Sequence, residues 1–253
     1  MDIREFQWLD RPCEVKNEDL SDDAIRLFIQ KTKEMKRIPY DVQYGEKSAL
    51  KDMYLFCGDK LSLTAAILLA KDPDKYCPGS FLKIESFDNE GTLLNSDILR
   101  MPVALLPAEC MRVHSDKYLK PTPRFNSKMN KVRIEYTYPL EAVRELVVNA
   151  IVHKDYSIDQ EVSIGIHKDK LTIYSPGILP QAITLEDLKV MHTSIRCNRR
   201  LADAFHALRY VECWGQGLPR VMRACKDNGN PEPEFTIKSD GLLVTLRPKE
   251  SDF

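Results

Sequence analysis

The stretch Glu145-Leu146-Val147-Val148-Asn149-Ala150-Ile151-Val152-His153-Lys154-Asp155-Tyr156 decides the fold of this chain. Glu145, Asn149 and His153 recur every four residues. On an α-helix that spacing sets three polar side chains in one row, about 6 Å apart. Around the row, Leu140, Val143, Leu146, Val147, Ala150 and Ile151 form an apolar stripe fit for a core. Pro139 precedes them, and its fixed φ suits a helix start. A carboxylate, an amide and an imidazole along one edge of a mostly buried helix suit a divalent metal, an attacking water and a phosphate tail.

On the carboxyl side of this helix, residues 161–167 and 170–175 alternate as two strands around a turn at Lys168-Asp169. Ser175-Pro176-Gly177 makes a sharp stop. Thr184, with Asp187 three residues on, has the spacing of a capping box. Residues 199–208 and 218–228 read as helices, the second closed by Gly229, and 235–238 with 242–247 read as another hairpin. On the amino side, 131–136 is a short strand. Further back, Ser21 or Asp22 caps a helix running to Glu34. Helices are also expected at 47–55 and 65–70, and a strand at 81–87 turns at Asp88-Asn89-Glu90-Gly91. Pro102, Pro107, Pro121 and Pro123 break the pattern between 100 and 130, and Lys120-Pro121-Thr122-Pro123 has linker chemistry. A domain boundary is therefore expected near residues 126–131. The expected fold class is α+β: a two-layer α/β sandwich over 131–253, with a mixed sheet and helices on one face. A smaller mixed α/β domain, a connecting or interaction domain that is helical with short strands, precedes it over 1–130.

Composition narrows the function. Thirty-seven basic against thirty-eight acidic residues leave a net charge of −1, so no global field draws the chain to nucleic acid or membrane. Seven cysteines are scattered without a Cys-x-x-Cys pair, which argues against a zinc site or disulfide framework and for a reducing cytoplasm. Met1-Asp2-Ile3-Arg4-Glu5-Phe6 is not a signal peptide. The longest apolar run, 61–70, is too short to span a bilayer. A cytoplasmic protein without a membrane partner is expected. No Gly-x-x-x-x-Gly-Lys-Ser/Thr loop exists anywhere, so a helicase motor has no support.

Glu145-x-x-x-Asn149-Ala150, followed by His153-Lys154-Asp155-Tyr156, resembles the N-box of the GHKL ATPase superfamily of gyrase, MutL and histidine kinases. Within it the match is closest to one branch. That branch is the ATP-binding C-terminal domain of bacterial proteins labelled RecG-related helicases or Schlafen/AlbA-type transcriptional regulators. Tyr138-Pro139-Leu140-Glu141-Ala142, Ser175-Pro176-Gly177, Leu185-Glu186-Asp187-Leu188, Arg196-Cys197-Asn198, Tyr210-Val211-Glu212 with Trp214-Gly215-Gln216-Gly217, and Pro231-Glu232-Pro233-Glu234-Phe235 continue the match. Their order and spacing hold over residues 131–248, and residues 15–88 resemble the connecting region of these proteins.

The resemblance implies a Bergerat-type fold that binds ATP with Mg²⁺. Asn149 would offer its amide oxygen to the metal, and Glu145 would orient or deprotonate the attacking water. His153 would touch phosphate or metal; its plainer reading is a histidine favoured by the helix dipole. Asp155 reads as a turn former or a partner of Lys154. Ser175 stands where these proteins carry the aspartate that reads adenine, and Gly177 lets the backbone approach the base. Gly215 and Gly217 would meet phosphates at a helix N-terminus. Residues 178–214 would form a lid in which Arg196, with Arg199 and Arg200, pairs with phosphates or forms a solvated basic surface. The implied function is an ATP-binding regulator of transcription or DNA transactions with slow Mg²⁺-dependent hydrolysis of ATP to ADP and phosphate. The alternative is a non-catalytic DNA-binding or protein-interaction regulator with a degenerate nucleotide site. A phosphotransfer kinase fits poorly, for want of a phosphoacceptor-histidine helix. An AlbA-type DNA-binding domain is expected before Phe6, so the chain reads as a truncated form, a fragment, or the partner of a protein that contacts DNA. A helix-turn-helix-like unit at 45–72 lacks a basic recognition helix. A homo-oligomer is a further expectation.

Overall fold

Six strands make one mixed sheet in the order β4-β3-β7-β8-β10-β9. They are β3 (Leu82–Phe87), β4 (Leu93–Leu99), β7 (Val162–Ile166), β8 (Leu171–Pro176), β9 (Glu234–Ile237) and β10 (Gly241–Leu246). The computed structural model describes residues 8–39, 41–119, 122–126, 131–178, 184–185, 197–211 and 216–249. Neighbouring strands pair antiparallel except β3 with β7, which run parallel. Register explains the core. Ile84 faces Ile164, Ile164 faces Ile173, and Ile173 faces Val244, so one β-branched row crosses four strands. All four are buried, while Lys83, Glu85, Ser163, Thr172 and Tyr174, on the alternate positions, are only partly covered.

Helices cover the inner face. Helix α5 (Leu140–His153) follows Pro139 and buries Ala142, Val143, Leu146, Val147, Ala150 and Ile151. Helix α7 (Gly217–Asn228) packs on α5 and stops at Gly229, and α6 (Arg199–Ala207) closes the layer. The carboxyl end of α7 is stitched down. Asn228 donates to the Tyr136 carbonyl at 3.1 Å, and Asn230 donates to the carbonyls of Thr137 and Arg247 at 2.8 and 2.9 Å. The α/β sandwich with helices on one face is thus observed.

The amino-terminal elements are α1 (Asp22–Met35), α2 (Glu46–Asp52), the hairpin β1 (Phe56–Cys57) and β2 (Lys60–Leu61), α3 (Leu63–Leu69) and α4 (Leu106–Val113). Ser21 caps α1 and Ser62 caps α3, each accepting from an N–H three residues on. Every residue of α3 is buried, so the apolar run at 61–70 serves the core. No helix among the described residues is long and apolar enough to cross a membrane. Three findings differ from the sequence expectation. The helix expected over 47–55 ends at Asp52, because Tyr54 turns left-handed (φ +56°) into the β1–β2 hairpin. Residues 93–99 form a strand. The proline-broken stretch contains α4, in whose first turn Pro107 gives up no hydrogen bond. The strands β5 (Thr122–Asn126) and β6 (Lys131–Glu135) pair antiparallel across the position of the expected boundary. The large sheet draws β3 and β4 from before that position and its other strands from after it.

Candidate functional site

Helices α5 and α7 run antiparallel and meet at the polar row. Gly217, the first residue of α7, lies against Glu145 and Asn149. A Cβ built at Gly217 would fall on the Glu145 carboxylate oxygen and lie 3.3 Å from Asn149 Nδ2. Only glycine permits this approach with the carboxylate where it stands. Asn149 Nδ2 donates to Glu145 Oε1 at 3.3 Å, and Arg220, one turn into α7, brings Nη2 to 3.5 Å from Glu145 Oε2. Glu145 is buried and Arg220 is about three-quarters covered. Gln216 does not cap α7 with its side chain. The amino end of α7, with its partial positive charge and Arg220, therefore faces a carboxylate–amide pair.

This donor set suits Mg²⁺. Asn149 and Glu145 carry the hard oxygens that Mg²⁺ prefers, and Gly217 puts no side chain between α7 and them. His153 ends α5 half-buried and has a partner of its own. Arg196 and Gly215 lie outside the described residues, as do Asp187 and about half of the expected lid.

The carboxyl end of α5 is built differently. Lys154 is buried, and its ammonium donates to the carbonyls of Asp155 and Ile158 at 3.0 and 2.9 Å. It also sits 4.8 Å from the Tyr156 ring centroid. Burial pushes the Lys154 amine down to about 8, with Cys77, Asp155 and nearby carboxylates pulling weakly the other way. The Tyr156 hydroxyl donates to the Ile151 carbonyl at 3.0 Å, and burial holds its pKa well above the ordinary phenol value. Asn198 donates its amide to the carbonyls of Val152 and Lys154 at 2.9 and 2.7 Å. It thereby satisfies carbonyls that the end of the helix leaves without partners.

Ser175 and Gly177 belong to this end. The Ser175 hydroxyl donates to the Ala150 carbonyl at 2.9 Å. Gly177 (φ +120°) lies against Asp155: an added Cβ would come within 2.9 Å of its backbone nitrogen. Next door, Asp155 N–H donates to the Pro176 carbonyl at 2.9 Å. The Asp155 carboxylate accepts from the Ser157 N–H and hydroxyl at 2.9 and 2.6 Å, an Asx-turn, while Lys154 goes to the backbone rather than to that carboxylate. The structure thus gathers Glu145, Asn149 and Gly217 in one place, and Ser175 and Gly177 about one to two turns away along α5. Sequence reasoning missed Arg220 and Lys154. Arg220 reads as one more basic residue on an amphipathic helix until Glu145 is found beside it. Lysine is rarely buried, and nothing local marks Lys154 as an exception.

Residues 159–246 match the family HATPase_c_4, described as "Putative ATP-dependent DNA helicase recG C-terminal". The match spans β7 through β10, with Gly177, Gly217 and Arg220, and leaves α5 outside. Among solved structures, the crystal structure of the DIP2311 protein from Corynebacterium diphtheriae is similar in fold. The TM-score is 0.75 at 19% identity, over 97% of this chain and 49% of that one. The chain therefore spans about half the length of that protein. Comparison with curated proteins gives no match.

Proposed function

We propose that the chain binds ATP with Mg²⁺ at the junction of α5 and α7, as a GHKL-type nucleotide module in the regulation of transcription or DNA transactions. The observation that carries this reading is the contact of Gly217 with Glu145 and Asn149, which sets a helix N-terminus beside hard oxygen ligands. The family match over 159–246 supports a nucleotide ligand. Asn149 would hold the metal by its amide oxygen, and Arg220 with the α7 N–H groups would hold phosphate. The metal, when bound, supplies charge neutralisation between phosphate oxygens. Glu145 would orient water for a slow hydrolysis. DNA contact, direct or through a partner, would supply the regulated target, and Arg196, Gly215 and His153 would complete the phosphate contacts. Calorimetric titration with ATP, with and without Mg²⁺, tests the reading. Binding that weakens without Mg²⁺ is expected, and no heat at millimolar ATP would sink it.

A second reading is favoured by two specific contacts. Arg220 lies against the carboxylate that would act as base, and the Ser175 hydroxyl is engaged by α5 instead of by a nucleobase. On this reading the domain binds nucleotide or a protein partner without turnover. ATP binding with no phosphate release, and the same in Glu145→Ala, would decide for it.

A further inference from the structure

Strand β4 forms one edge of the large sheet, and among the described residues no strand pairs with its outer side. Edge strands are usually blunted by lysine, proline or short length, because their free N–H and C=O groups invite another strand. The opposite edge follows that rule. Strand β9 has four residues, and its Glu234 is tied to Arg247 at 2.7 Å. Strand β4 does not. It has seven residues, lacks lysine and proline, and leaves Leu93, Leu94 and Ile98 about half exposed.

Its sequence adds a stronger signal. Leu93-Leu94-Asn95-Ser96-Asp97-Ile98-Leu99 reads alike in both directions about Ser96: leucine answers leucine, leucine answers isoleucine, and an amide answers a carboxylate. We propose that two copies of this chain pair antiparallel through β4, with a two-fold axis at Ser96. Leu94 then lies opposite Ile98 of the second copy, Leu93 opposite Leu99, and Asn95 opposite Asp97. Cross-strand apolar pairs and an amide-to-carboxylate hydrogen bond are the contacts that stabilise such ladders. A two-fold pairing is closed, so it ends at a dimer with one continuous sheet. Charge does not oppose it. Asp97 is the strand's one charged residue, and Lys117 and Tyr118 already bond its carboxylate. The break in register at Ser86/Phe87 puts the bulge at Leu94, so Asn95, Ser96 and Asp97 are regular in both copies and the two apolar pairs flank them at the bulged ends.

One strand pair is small beside the roughly 1,200–2,000 Å² of a standard interface, so the dimer should dissociate on dilution. Sedimentation of the full chain over a concentration series tests this, with Leu94→Lys/Ile98→Lys as the disrupting variant and Ile237→Lys at the other edge as control. A dimer mass at high concentration, lost in the double variant and kept in the control, is expected. Circular dichroism melts at low concentration, where all three are monomers, should coincide, since the substituted side chains are half exposed. Register is read separately with Ser96→Cys. Facing Cα atoms in an antiparallel pair lie about 4.5 or about 5.5 Å apart, both within disulfide reach. Mild oxidation should cross-link this variant, and neither the wild type nor Glu85→Cys, one strand inward. A monomer at every concentration, or a dimer that survives the double variant, would overturn the proposal. Dimerisation without Ser96→Cys cross-linking would overturn the register. None of these measurements depends on nucleotide.

Discussion

Two polar clusters share helix α5, and they are built on opposite plans. At its carboxyl end, Lys154, Tyr156, Ser175 and Asn198 all donate to main-chain carbonyls, at 2.7 to 3.0 Å. Two turns earlier, Glu145, Asn149 and Arg220 meet side chain to side chain, at 3.3 and 3.5 Å. A group bonded to the backbone is fixed by the fold, and it cannot leave without stranding a buried carbonyl. A group bonded to another side chain can exchange that partner for a ligand. The first cluster holds α5 in place, and the second is where a ligand can compete.

The comparison can be broken at its strongest point. Asn198→Ala should cost about 2–4 kcal/mol, because two carbonyls at the end of α5 lose their donor in a buried place. Urea denaturation measures it, and a loss within error would mean that the carboxyl cluster is not a lock. Lys154 gives a second test, with a sign. Its pKa falls from 10.5 to about 8 on folding. Below the folded value both states hold the proton, and the native state bears the whole cost of burying it, about 3 kcal/mol at 1.36 kcal/mol per unit. Between the two values the unfolded chain keeps the proton and the native chain has lost it, so this group makes stability rise with pH. Comparing denaturation at pH about 7 and about 10, the wild type should gain on Lys154→Met; equal pH dependence would refute the shift.

Smaller effects sharpen the contrast. Asn149→Ala should weaken Mg²⁺-ATP binding about tenfold, or about 1.4 kcal/mol, with little change in melting temperature. A large stability loss with unchanged affinity would place Asn149 with the structural cluster instead. Ser175→Ala should lower stability by about 1 kcal/mol and move ATP affinity less than Asn149→Ala does. An affinity loss larger than that of Asn149→Ala would restore Ser175 to a base-reading role.

Much of this was legible because α5 and the hairpins obey simple periods. The four-residue polar row, the Pro139 start and the alternation at 162–166 and 171–176 are local signals, and the structure keeps them. What the sequence hid was set by distance along the chain. Strand β4 shows no alternation, since an edge strand need bury neither face, so Leu93–Leu99 gave no period to read. Helix α4 was masked by Pro107, which reads as a breaker until its first-turn position is known. At the site, Glu145 and Gly217 are 72 positions apart, and their contact follows only from the packing of α7 on α5. Asn198 was quoted as part of a motif, but its task is visible only once the end of α5 lies beside it.

The stitching of α7 at Asn228 and Asn230 has a mechanical consequence. A helix of twelve residues is about 18 Å long. This one is bolted to the start of α5 and the end of β10 at its carboxyl terminus, while its amino terminus rests on the exchangeable contacts of Gly217 and Arg220. It is a cantilever. A push at Gly217 would therefore be carried along α7 toward its anchored end at Asn230 rather than absorbed by a loop.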